Sequence, residues 1–256
     1  MFTVKSIKIY EGCQHVKNLK PGKRYVFEHR LPHDFFSDHI CISAIVGQNG
    51  AGKSSLLDMM FRIINNFSFS LFKDTRRSAA DLLTYIEDIY ADLTYEVDGN
   101  ECSIMCRGGF VAFKSGNVNT KFTHVRKEND IDRKWREQFK SYKEVDVKCY
   151  GQKKFFAEKF FYTIASNYSI QSFVASDYAH EQTFTYNPEL GPENNKGDYD
   201  FKHTDSWLNN LFHKNDGYLT PIVLNPYRTD GWINMTNEEH LTVTRLTAIL
   251  MDEQLG

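Results

Sequence analysis

The stretch Ile40-Cys41-Ile42-Ser43-Ala44-Ile45-Val46-Gly47-Gln48-Asn49-Gly50-Ala51-Gly52-Lys53-Ser54-Ser55 constrains the fold more than any other part of this chain. Its first seven residues are mostly apolar and bounded by glycine, which predicts a buried central strand. From Lys53 onward the period changes. Leu56, Leu57, Met60, Ile63 and Ile64 recur at three- and four-residue spacing and predict a helix. Between strand and helix, residues 47–54 satisfy G-x-x-x-x-G-K-[ST]. Glycines let such a turn curl until successive N–H groups point inward, where they can hold phosphate oxygens. The helix that follows adds the partial positive charge of its N-terminus. Lys53 is placed to reach the β- and γ-phosphates, Ser54 to ligate magnesium, and Ser55 to serve the α-phosphate side. A glycine turn that binds nothing is the competing reading, and the strand–turn–helix context weighs against it.

Composition sets the surroundings of that motif. The chain has 256 residues, 31 basic and 33 acidic side chains, and 41% apolar residues, enough for a substantial core without metal or disulfide staples. A formal net charge of −2 gives no nucleic-acid footprint over the whole chain. No apolar run approaches the ~20 residues that a membrane span requires. The N-terminus alternates like a strand and has no signal-peptide core. Five cysteines, an odd number, suggest reduced thiols and a cytoplasmic setting. Cys102 and Cys106 would share a strand face, but about 13 Å apart, too far for a common metal.

Elsewhere, Phe2 to Tyr10 alternates with one break in phase, and Arg24 to Phe27 reads as a second short strand. Residues 78–90 fit a helix or the approach to a strand. Residues 92–114 fit an antiparallel meander around a DGN turn. From Lys121 to Lys159 there are 12 Lys/Arg against 7 Asp/Glu, a local excess of five positive charges. Within it, residues 132–142 predict an exposed helix. Residues 155–173 fit a helix leading into a buried strand, 185–206 a polar loop or insertion, and 237–255 a helix. The expected divisions are strands and glycine loop over 1–66, meander and helical insertion over 67–175, and a loop-rich segment over 176–256.

The interior Asn49-Gly50-Ala51 makes GQNGAGKSS, which resembles the ABC-type ATPases. An N-terminal strand, a second short strand and then this loop near residue 47 resemble the start of an SMC/RecF-like head domain. A later segment, HKNDGYLTPIVLNPYRTDG, is similar to bacterial defence-type AAA/ABC ATPases. The resemblance implies an α/β P-loop NTPase of ABC/SMC-head type, a mixed sheet with an antiparallel β meander and flanking helices. It also implies ATP and Mg2+ as cofactors, with Gly47, Gln48, Asn49, Gly50, Ala51, Gly52, Lys53, Ser54 and Ser55 as the binding loop. A homodimer, or a partner ATPase half, would assemble through the nucleotide. DNA is a further partner it implies, although interleaved acidic residues favour a solvated face for the basic segment.

Such ATPases also use a glutamine near the magnesium and attacking water. Gln171 and Gln152 are the candidates, Gln171 following the better strand; an ordinary surface glutamine explains either as well. Tyr25 and Phe27 stand where an adenine-stacking aromatic would, but core packing explains them better. No LSGGQ-like signature occurs, and Thr229-Asp230-Gly231 only approximates its spacing. Ala248-Ile249-Leu250-Met251-Asp252-Glu253 has the form of a strand carrying a magnesium-binding Asp252 and a general base, Glu253. Helical spacing of Leu241, Leu246, Ile249 and Leu250 favours one continuous helix instead. The chain is therefore expected to be the N-terminal portion of a head domain that binds ATP and needs further segments to hydrolyse it. The implied output is an ATP-driven dimerisation switch in DNA processing or phage defence. The alternatives are a transporter ATP-binding subunit and a degenerate, non-hydrolysing scaffold.

Overall fold

A computed structural model of the chain describes residues 2–27, 45–73, 83–124, 130–145, 154–156, 158–160, 175–186, 199–200, 206–208, 228–229 and 232–233. Its frame is a seven-stranded sheet. Strand β1 (Phe2–Ile9) lies between β2 (Arg24–Val26) and β4 (Tyr90–Val97), and β5 (Asn100–Arg107), β6 (Phe110–Ser115) and β7 (Val118–Thr123) follow in order. These neighbours are antiparallel, while β8 (Lys143–Glu144) pairs parallel with β7 and makes the sheet mixed. The break in alternation along β1 is a register shift between Val4 and Ser6. Val97 pairs with Asn100 across Asp98-Gly99, both at positive φ, the conformation a two-residue hairpin turn requires. The meander expected over 92–114 is thus present, and it extends by one strand, β7.

Alternation gives the sheet two unlike faces. One carries Ile7, Ile9, Leu93, Tyr95, Ile104, Cys106, Val111, Phe113 and Phe122, all in the main core. Helix α1 (Lys53–Phe72) packs here, starting where the sequence periodicity predicts and running 20 residues. Every residue from Phe61 to Leu71 is buried, because a second, three-stranded sheet made of β3 (Thr84–Ile86), β9 (Thr183–Tyr186) and β10 (Tyr199–Asp200) also contributes to this core. The Asn65 amide donates to the Thr84 carbonyl (2.7 Å) and the Asn66 amide to the Ile86 carbonyl (2.8 Å). The Ile86 N–H in turn donates to Asn66 Oδ1 (2.8 Å), so helix side chains satisfy backbone groups of β3. Phenylalanines fill the remainder. Phe67 stacks on Phe113 at 5.4 Å and meets Phe160 edge-on at 4.8 Å, while Phe69 meets Tyr85 and Phe184.

Helix α2 (Asp130–Gln138) covers part of the opposite face. Phe139 packs with Met105, Phe110 and Ala112, with Trp135 against them. Arg107, 2% exposed, lies 4.4 Å from the Tyr10 ring centre and 4.3 Å from that of Trp135, with Asp92 at 2.7 Å. The Tyr10 hydroxyl donates to Asp92 (2.6 Å); burial first, and then that carboxylate, raise its pKa to about 12. The exposed helix expected over 132–142 is therefore real but shorter, and one of its faces is docked.

Other expectations change. Residues 185–206 are not one loop, because Thr185 and Tyr186 belong to β9 and pair with β10. Of the two readings of 78–90, the approach to a strand holds where residues are described: 84–86 are strand, and Tyr90 opens β4. Of the run 40–46, only Ile45 and Val46 are described. Neither is in a strand, and Val46 is 88% exposed, since the chain is already entering the glycine loop. Residues 154–156 are helical, whereas 161–174 and 237–255 lie outside the described residues. Cys13, Cys102 and Cys106 are free and buried. Among the described residues, no helix is long and apolar enough to cross a membrane.

Candidate functional site

The glycine loop is built from a turn and a helix start. Ala51 N–H donates to the Gln48 carbonyl at 3.1 Å, closing a four-residue turn with Gly50 at φ +78°. Positive φ at the third position, with Asn49 not sharing it, defines a type II turn and favours glycine there. Gly52, at φ +91°, is the N-cap of α1 and supplies no side chain to cap it. The first intrahelical bond runs from Leu56 N–H to the Gly52 carbonyl at 2.9 Å. The N-cap residue thus gives the first-turn amides of α1 no side-chain acceptor, at the end where Gly50 and Ala51 are exposed. A Cβ on Gly50 would meet nothing within 4 Å.

Lys53 folds back across this loop. Its ammonium donates to the carbonyls of Gly47 (2.6 Å) and Gln48 (2.8 Å). The positive charge therefore sits against the carbonyls that open the loop. Ser54 is exposed on the first turn, and Ser55 is buried. On the far side of the loop the Asn18 amide donates to the Gly50 carbonyl at 3.0 Å.

Directly below lies a buried charged cluster. Asp58, one turn beyond Ser54, is paired with Lys17 (2.7 Å) and Arg62 (2.8 Å). Arg62 is fully buried and forks onto Glu181, donating from Nε at 3.2 Å and also from Nη2. The Trp207 indole donates to Glu181 at 2.8 Å, and His15 Nδ1 lies 3.5 Å from the same carboxylate. Burial opposes the Arg62 charge, but the Glu181 hydrogen bonds and both carboxylates outweigh it and raise the pKa. Burial lowers the His15 pKa, and it raises that of Tyr178, which also hydrogen-bonds Asp58.

The structure thus brings together Gly47 to Ser55 as one continuous feature. Gln152, Gln171, Asp252 and Glu253 lie outside the described residues. Tyr25 and Phe27 are half-buried against the core, the packing reading of both, and the Tyr25 hydroxyl accepts the Lys20 N–H at 2.9 Å. Thr229 ends the two-residue strand β11 (Arg228–Thr229), which pairs with β12 (Trp232–Ile233). Among the described residues no cluster of three or more His, Cys, Asp or Glu could hold a metal. Sequence reasoning missed Asn18, Lys17, Asp58, Arg62 and Glu181. One signal was available: Asp58 and Arg62 stand four apart inside the apolar run of α1, the spacing of an ion pair on one helix face. Comparison with family models, with curated proteins and with solved structures gives no match.

Proposed function

We propose that the chain binds a nucleoside triphosphate, ATP with Mg2+, through Gly47–Ser55, as a P-loop ATPase of ABC/SMC–RecF-like type. One observation carries this reading: a glycine turn runs into a helix whose N-cap, Gly52, gives no side-chain cap, and the Lys53 ammonium folds back onto the loop carbonyls. Loop amides, helix amides and ammonium together offer several donors and net positive potential to a polyphosphate. Lys53 exchanges the Gly47 and Gln48 carbonyls, acceptors of partial charge, for fully charged phosphate oxygens. The exposed Ser54 hydroxyl is a hard oxygen donor suited to magnesium, whose remaining ligands would be phosphate oxygens and water. The ion would neutralise charge on the β- and γ-phosphates.

On the same reading, nucleotide would join two copies, or this chain and a partner half, as a switch in DNA processing or phage defence. The test is binding of a fluorescent ATP analogue in the presence of magnesium, with Lys53→Ala beside the native chain. The native chain should bind, and the variant should bind at least tenfold more weakly. Equal binding by the two would refute the assignment.

A further inference from the structure

The geometry points to Asn18 as a positioning residue that sets the shape of the glycine loop from outside. The inference rests on reading that loop as the phosphate site. Asn18 lies 32 residues away in sequence, in the connection between β1 and β2, yet its amide reaches the Gly50 carbonyl at 3.0 Å. Peptide units are planar and trans, so fixing the Gly50 carbonyl also fixes the Ala51 N–H on the opposite edge of the same unit. That N–H closes the Gln48–Ala51 turn. This donor from outside the loop thereby bears on the turn that orients the loop amides.

The brace is itself held firmly on both sides. Lys17 pairs with Asp58 on α1 at 2.7 Å and lies 4.8 Å from the Tyr178 ring centre. Leu19 is buried in the main core, and its N–H donates to the Val16 carbonyl at 2.8 Å. His15 and Lys17 both take positive φ (58° and 48°), a conformation unfavourable for non-glycine residues, which anchoring on both sides can sustain. Asn18 and Leu19 also approach Gly52, where a Cβ would lie 3.5 Å from Asn18 Cβ and from Leu19 Cδ2. The connection therefore touches the loop at its turn and at the helix cap. Asn18 itself is exposed, so its bond to the loop contributes little to folding.

The deciding experiment measures affinity for Mg-ATP, Mg-ADP and inorganic tripolyphosphate by displacement of a fluorescent ATP analogue. Native protein, Asn18→Ala, Asn18→Asp and Lys53→Ala are compared, with melting of each ligand-free protein in parallel. Loss of one neutral hydrogen bond corresponds to about three- to tenfold in affinity. Asn18→Ala should weaken all three ligands by that same factor and leave ligand-free melting unchanged. Asn18→Asp, which sets a carboxylate against the Gly50 carbonyl, should weaken them further. An unchanged affinity would overturn the inference. So would a loss confined to ATP and ADP, which would mean direct contact with the nucleoside, or a loss matched by lower ligand-free stability. Normal binding by Lys53→Ala, or none by the native protein, would instead remove the phosphate-site reading and this inference with it.

Discussion

The two ends of α1 are held by different physics. Around Phe67 and Phe69 the helix is locked by stacked and edge-on aromatic rings and by asparagines bonded to β3. Around Lys53 and Ser54, hydrogen bonds and the charged cluster beneath set the order. Apolar burial is non-directional and large in sum, whereas hydrogen bonds and ion pairs fix direction at small net free energy. One end therefore supplies stability and the other supplies orientation. A loop held by exchangeable bonds can trade them for those of a ligand.

Separate losses at the two ends would sharpen this contrast. The largest expected effect is at the aromatic end. Phe67→Ala should cost about 3–5 kcal/mol in urea unfolding while folded molecules keep the nucleotide affinity proposed for the native chain. A fall in affinity of the folded fraction would break the division. Next is Arg62→Met, which leaves Asp58 and Glu181 buried without their shared cation. It should cost about 3 kcal/mol or more, since breaking a buried pair from one side exposes the desolvation penalty of the other. A cost below ~1 kcal/mol would show that Lys17 and His15 suffice for the carboxylates.

A smaller effect is set by pH. His124 is buried beside Phe69 and Tyr85, with its Nε2 2.9 Å from Ser70 Oγ, and burial holds its pKa well below the ordinary value. The unfolded chain then binds the proton more readily than the folded one. Stability is fully present above the ordinary histidine pKa and falls as pH drops below it, by up to ~1.4 kcal/mol per pH unit. Burial lowers the His15 pKa too, in the same direction. His124→Phe should flatten the decline between pH 7 and 5.5, measured as urea midpoints. An unflattened curve would assign the acid sensitivity elsewhere.

Much of the sheet is legible in the sequence because its signals are local. The period of two in β1, β4 and β5, the apolar run of β6, the Asp98-Gly99 turn and the switch to helical period at Lys53 need no distant partner. The three-stranded sheet is not legible, because β3 and β9 pair across about a hundred residues and helix side chains complete the hydrogen bonding of β3. Of the candidate site, Gly47–Ser55 could be read because residue order alone specifies it. Asn18 could not, since the segment HVKNLKPG reads only as a turn, and its value lies in touching Gly50. Glu181 was likewise invisible, an ordinary acidic residue until Arg62 and Trp207 close around it.

On the proposed reading, the exchangeable end of α1 binds polyphosphate. Mg-ATP titration of the native chain against Lys53→Ala, with urea unfolding of both ligand-free proteins, tests it most directly. At least a tenfold loss of affinity with unchanged stability is the predicted result. Equal affinity, or a loss that only follows a loss of folding, would contradict it.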